Sequence, residues 1–358
     1  MSNRFESLDG LRGIAAILVA YVHFHMESRL LPSEIENSLY LMVDLFFVLS
    51  GFVLAHATSD YSRFRFKSFI GWRLKRLYPL HLVTLAVFVF LELLIYIFQA
   101  SGYFDGERRA FTAPRPVEGI LTHLLLIHAS GFFPTHGWNG PSWSVSAELI
   151  ANVVFFIVRK GAKLFDAGLA VIAIASALVI VEFSEDYMHT ELDLSVFRAI
   201  YGIVVGYFLW RVWRSLRVIE SNKVASVVQL AVAAGVVGYM FIAQKTSYSI
   251  FAPLVFSAFI LSLILFDKGV IGLALSAKPF VYLGLISYSV YLVHPILITS
   301  FKYGQVLVFG DWVGKLDSGD RFSVYTAGSG AADISIIFGY LIMLVIVSTL
   351  SYKYVERK

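Results

Sequence analysis

Ser7-Leu-Asp-Gly-Leu-Arg-Gly-Ile-Ala-Ala-Ile-Leu-Val-Ala-Tyr-Val-His23-Phe24 decides how the chain is read. It is an apolar helix with a cation near its start and an imidazole deep inside it. Arg12 and His23 are eleven residues apart, and at about 100° per residue that is only about 20° past three turns. Both side chains therefore share one face, roughly 16 Å apart along the axis. A membrane helix seldom carries an ionisable residue without a use for it. This face reads as the wall of a cavity that holds an anionic group at Arg12 and does chemistry at His23.

Composition supports the membrane reading. Of 358 residues, 58% are hydrophobic and only 15% are charged, and the mean hydropathy is +0.73. Apolar runs of spanning length recur at about 11–27, 39–57, 77–99, 143–158, 167–183, 195–211, 224–243, 250–266, 281–301 and 332–354. The expected fold is an all-α polytopic bundle of about ten transmembrane helices. No cleavable signal peptide is expected, because the first apolar run lacks a small-residue cleavage site and contains His23. Cysteine is absent, which excludes disulfides, a Cys-based metal site and a cysteine nucleophile. No metal site is expected.

Charge alternates from one connection to the next. One side holds Arg63, Arg65, Lys67, Arg73, Lys75 and Arg76, then Arg159, Lys160 and Lys163, then Arg211, Arg214, Arg217 and Lys223. The other holds Glu27, Glu34 and Glu36, then Glu182, Glu185, Asp186, Glu191 and Asp193. The positive-inside rule then places both termini in the cytoplasm. Basic residues so placed are topology signals, and no nucleic-acid partner is expected. The outer connection 100–142 contains an apolar run, Ile120 to Ile127, too short to span and read as interfacial or re-entrant. Residues 1–358 read as one membrane domain with no appended soluble domain.

Four ionisable residues fall at similar depth. Counting from the span ends puts His23, Asp44, Glu148 and His294 in the outer half of a ~30 Å core. Each has a plainer reading. His23 could hydrogen-bond a neighbouring helix, Asp44 could partner an arginine, Glu148 could cap its helix, and His294 could satisfy a carbonyl freed by Pro295. Their shared depth argues for a common site. A His–carboxylate pair fixes an imidazole tautomer and stabilises its charged form. No Gly-x-Ser-x-Gly elbow occurs, so the pair suits a histidine that activates an external hydroxyl or itself carries an acyl group transiently. Arg73 and Arg76, at i and i+3 on a short helix ahead of the third span, read either as a topology signal or as a phosphate clamp.

These motifs together resemble the acyltransferase 3 family of membrane proteins, over nearly the whole chain. They are Ser7-Leu-Asp-Gly-Leu-Arg-Gly with the Arg12-x10-His23 spacing, Asp44-Leu-Phe-Phe-Val-Leu-Ser-Gly-Phe52 and Arg73-Leu-Lys-Arg-Leu-Tyr-Pro79. Trp143-Ser-Val-Ser-Ala-Glu148, Ser287-Tyr-Ser-Val-Tyr-Leu-Val-His-Pro295 and Tyr354-Val-Glu356 follow in the family's order. The resemblance implies transfer of an acyl group, often acetyl, from cytoplasmic acyl-CoA to a hydroxyl of an extracytoplasmic glycan or glycosylated molecule. It implies that His23 is catalytic with Asp44 as its partner, and that Arg12, Arg73 and Arg76 contact coenzyme A. Trp143, Ser146 and Glu148 would face the acceptor, with Tyr288 and His294 in the same substrate-binding set. Acetyl-CoA or another acyl-CoA enters as donor substrate, with no cofactor held permanently, and the bilayer would be a bacterial inner membrane. Many members carry a hydrolase-like domain after the last helix, and none is expected here. A secondary transporter would also place His, Asp and Glu at mid-membrane; the lack of paired inverted repeats argues against it. No motif speaks to the acceptor's identity or to oligomeric state.

Overall fold

The computed structural model describes residues 5–24, 30–58, 66–102, 109–132, 137–161, 165–191, 193–217, 221–309 and 330–357. Glu27, Arg63, Arg65, Lys163 and most of the connection 302–331 lie outside the described residues. Among those described there is no strand. The helices are α1 (Glu6–His23), α2 (Ser33–Glu36), α3 (Met42–Ala57), α4 (Phe66–Ala100), α5 (Gly119–Leu124), α6 (Trp143–Gly161) and α7 (Phe165–Phe183). They continue as α8 (Ser195–Ser215), α9 (Asn222–Ala243), α10 (Ala252–Leu265), α11 (Val270–Leu275), α12 (Lys278–Leu285), α13 (Ser287–Phe309) and α14 (Gly330–Ser351).

Among the described residues, eight helical segments are long and apolar enough to cross a membrane, and nine are if α12 and α13 count as one bent span. The 18 residues of α1 include Glu6, Asp9 and Arg12, too many charges for an ordinary lipid-facing helix. It resolves this by sitting inside the bundle, where Ala15, Ala16, Val19 and Ala20 are buried. The spans sort by burial. Some 78% of the α3 span and 72% of the α8 span are covered by protein, against 22% for α7, 17% for α9 and 22% for α14. The last three turn Val171, Ile174, Val227, Leu230, Phe338 and Ile342 outward, as a lipid-facing surface requires.

Two glycine-mediated crossings set the core. Where α3 meets α8, a Cβ on Gly51 would lie 2.0 Å from the Ile203 carbonyl oxygen, and one on Gly206 would lie 2.1 Å from that of Val48. Close backbone approach of this kind is how membrane helices gain packing without a hydrophobic driving force. Where α1 meets α12, a Cβ on Gly13 would lie 2.5 Å from the Gly284 nitrogen. By contrast, Gly71 faces open space.

Two elements differ from the sequence expectation. The arginines Arg73 and Arg76 do not sit on a separate short helix. They are the early turns of the 35-residue α4, which continues through Pro79. At 1.5 Å per residue α4 is about 52 Å long, well beyond a ~30 Å core. The ninth span is not continuous either, because α12 and α13 meet at 67°. At the break the Gly284 carbonyl accepts from the Ser287 hydroxyl (2.9 Å) and from Arg12 (2.8 Å), which satisfies a group that helix continuation would otherwise occupy. The apolar run from Ile120, expected to be too short to span, forms the short α5, followed by a left-handed turn at Leu126.

Candidate active site

Two cavities lie along α1. The first, about 660 Å³, is lined by Arg12, Ser50, Arg73, Arg76, Glu148 and Tyr288 among others. The second, about 530 Å³, is lined by His23, Tyr40, Trp143, His189, Arg198 and Lys245, with Glu36, Asn37, Glu191 and Gln244 at its polar edge. Arg12 and His23 therefore do face cavities on one side of α1, at its two ends.

The first cavity is cationic and organised. Arg12 donates to Ser287 Oγ (3.0 Å) and to the Gly284 carbonyl, and pairs with Asp9 at 3.2 Å. Arg73 is 4% exposed and ion-paired with Glu148, and it donates to Ser50 Oγ at 3.1 Å. Its Nε–H is buried without a hydrogen-bond partner among the described residues, a donor available to an anion. Arg76, one turn on, is exposed. Tyr288 donates to the Leu77 carbonyl at 2.6 Å and forms part of the wall. Glu356, at the end of the final helical turn, accepts from Ser289 and feels the charges of Arg12 and Arg76. The motif Tyr354-Val-Glu356 was the only sequence signal for it.

His23 closes the second cavity. Its Nδ1 is 2.9 Å from the Val19 carbonyl, which can only accept, so Nδ1 carries the proton and Nε2 is the basic nitrogen of the neutral ring. The His294 ring stacks on it at 5.0 Å with 24° between planes. His294 is fully buried, and its Nε2 has no hydrogen-bond partner among the described residues.

Asp44 is held by an arginine, the plainer of its two expected readings. Both carboxylate oxygens are bound by Arg198, Oδ1 by Nε at 2.9 Å and Oδ2 by Nη2 at 2.7 Å. The reason is the α3–α8 crossing, which lays Arg198 along α3 in the bidentate geometry that guanidinium and carboxylate prefer. Arg198 also donates to the Thr190 carbonyl (3.2 Å) and the Tyr40 carbonyl (3.0 Å), and its guanidinium lies over Trp143 at 5.4 Å. Asp44 thus anchors a cavity-lining arginine, and the Val19 carbonyl orients the His23 ring.

Of the residues expected beside the acceptor, Trp143 lines the His23 cavity, but Glu148 lines the Arg12 cavity. Five residues along α6 are about 7.5 Å, enough to pass from one cavity to the other. Ser146 lines neither. Its hydroxyl donates to the Leu126 carbonyl (2.7 Å) and accepts from the Ala129 N–H (3.2 Å), pinning the segment after α5. That segment is also held by a buried stack of His81, His123 and His128, in which His81 Nε2 donates to the His123 carbonyl at 2.9 Å. No group of three His, Asp or Glu among the described residues could hold a metal ion. Sequence reasoning passed over Arg198, His189 and Lys245. A lone arginine in an apolar span was the available signal for Arg198. His189 lies outside the spans, and burial first, then Lys245 and Arg198, pull its pKa down to about 4.

The chain is similar to two known proteins. Acyltransferase MdmB of Streptomyces mycarofaciens is 27% identical across 96% of this chain and 90% of its own length. Protein 2 in the picA locus of Rhizobium radiobacter is 32% identical across 51% of this chain and 96% of its own length. No solved structure matches the chain significantly. The acyltransferase 3 family, described as an acyltransferase domain, matches residues 5–353. The chain is an integral membrane acyltransferase and belongs to the acyltransferase 3 family.

Proposed function

We propose that this protein moves an acyl group, acetyl in the first instance, from acyl-CoA to a hydroxyl of an extracytoplasmic glycan or glycosylated molecule. The single observation that carries the reading is the pair of cavities abutting along α1, one cationic at Arg12 and the other closed by His23. Coenzyme A brings phosphates and a long neutral arm. The phosphates suit Arg12, Arg73 and Arg76, since guanidinium groups match phosphate oxygens in a bidentate way. The arm spans the distance to His23, and the acceptor enters the second cavity from the opposite side. Glu148 holds the buried Arg73 in place rather than the sugar. Aromatic Tyr40 and Trp143 and the polar Asn37 and Gln244 suit a polyhydroxylated ring.

In this reading Nε2 of His23 takes the proton of the acceptor hydroxyl as its oxygen attacks the thioester carbonyl. The carbon–sulfur bond then breaks, and the same proton passes to the thiolate to release free CoA and the ester. The Val19 carbonyl keeps Nδ1–H in place throughout, and the His294 ring fixes the imidazole plane.

The test is mass spectrometry of surface glycans from cells with and without the protein, beside thermal unfolding of the purified protein with and without CoA. The reading expects acyl groups lost from the glycan and a rise in melting temperature with CoA. An unchanged acylation profile together with no CoA stabilisation overturns it, and favours a transporter of unrelated solute.

A further inference from the structure

The two cavities are not one open tube. Of all their lining residues, only Val43 and Tyr291 belong to both. Each is 6% exposed. They mark where the two cavities meet, so a donor held at the Arg12 end reaches His23 by way of them.

Neither wall yields easily. Val43 is β-branched on a helix, so its χ1 is held near one value. Its neighbour Asp44 is locked to Arg198, and α3 is pressed against α8 through Gly51, which fixes the backbone that carries Val43. Opposite it, the Tyr291 hydroxyl donates to the Pro141 carbonyl at 3.0 Å and accepts from Ser144 Oγ at 2.7 Å. The ring is flanked by Phe46 at 5.8 Å and His294 at 5.9 Å. The passage is therefore bounded by one stiff side chain and one latched ring.

We propose that Val43 and Tyr291 gauge the acyl group, letting unbranched chains through to His23 and holding back branched or aromatic ones. This rests on the acyl-CoA reading above. The leading end of the donor is the acyl group itself, so its width is tested first; only the unbranched cysteamine and β-alanine part of the arm follows it, while the dimethyl carbon nearer the phosphates stays in the Arg12 cavity. A linear chain presents the narrower cross-section to these walls. A second methyl on the α-carbon needs the Val43 methyls or the Tyr291 ring to leave its place. One methyl too many in a fitted apolar site costs about 10- to 200-fold in specificity.

The experiment compares acetyl-CoA and isobutyryl-CoA as donors for wild type, Val43→Ala and Val43→Phe, with CoA affinity measured on each preparation. Wild type is expected to prefer acetyl over isobutyryl by at least about tenfold in kcat/KM. Val43→Ala should reduce that preference by about tenfold. Val43→Phe should still be stabilised against unfolding by CoA, because the phosphate contacts lie at the other end, yet transfer neither group. An unchanged preference in Val43→Ala overturns the gauge, as does normal transfer by Val43→Phe. If Val43→Phe loses its fold, Val43→Ala decides alone. Failure of the parent reading looks different, since wild type itself would then transfer no acetyl from acetyl-CoA.

Discussion

Replacing Asp44 should cost the protein stability before it costs chemistry. The Asp44–Arg198 pair is fully buried and joined by two charge-assisted bonds of 2.9 and 2.7 Å. Bonds to charged groups contribute about 1.5–3 kcal/mol each, so the pair holds about 3–6 kcal/mol against loss of one partner. Removing one member of a buried pair by mutation costs about 3–5 kcal/mol, which agrees. Asp44→Leu leaves the guanidinium charge uncompensated between α3 and α8 and should lower stability by about 4 kcal/mol. Arg198→Met should cost as much, because it also leaves the Thr190 and Tyr40 carbonyls without their donor. The double variant removes both charges together and should recover part of the loss, giving a coupling energy of at least about 2 kcal/mol. A denaturant titration in detergent micelles, followed by tryptophan fluorescence, reads all four corners of the cycle. Trp143 lies under the Arg198 guanidinium and serves as a local reporter. A coupling below about 0.5 kcal/mol would refute the reasoning. So would an Asp44→Leu protein of wild-type stability that has lost acyl transfer, since that is the signature of a carboxylate acting directly on His23.

Other perturbations follow from the same geometry. Gly51→Ala places a methyl 2.0 Å from the Ile203 carbonyl, so α3 and α8 must separate; a loss of about 1–3 kcal/mol by the same titration is expected, with Asp44–Arg198 loosened in step. Arg76→Ala removes an exposed cation and should weaken CoA binding about 10- to 100-fold with little change in melting temperature; unchanged affinity would reduce Arg76 to a topology signal. His189 has a folded pKa near 4, below the value of about 6.5 expected when unfolded, so its neutral form favours the fold. Its contribution is present above pH 6.5 and falls as pH drops toward 4. His189→Gln should flatten that part of a melting temperature against pH curve, and an identical acid limb in the variant would contradict it.

Much of this architecture can be read in the residues, and the failures have physical causes. Apolar periodicity located a helix for every expected span, because each must satisfy its backbone internally in lipid. The Arg12–His23 spacing placed both on one cavity-facing side, a matter of helix geometry within one element. What failed depends on how helices cross. Asp44 found Arg198 because Gly51 and Gly206 bring α3 and α8 together, and nothing local to either helix announces that register. Glu148 was counted to the same depth as His23 from the start of α6, but one and a half turns separate it from Trp143, and the Val43–Tyr291 partition falls between. Depth counting resolves a half of the membrane, whereas the two cavities differ by a few residues along α6. The bend between α12 and α13 escaped notice because its freed carbonyl is satisfied by Arg12, a residue some 270 positions away.

In the proposed mechanism acyl transfer occurs at His23, beyond a donor site that does not include it. Acetyl transfer from acetyl-CoA by purified His23→Gln, with CoA affinity measured on the same preparation, tests this most directly. Wild-type CoA affinity with turnover reduced by at least about a hundredfold is the expected result. Near-normal turnover, or CoA affinity lost along with turnover, would contradict it.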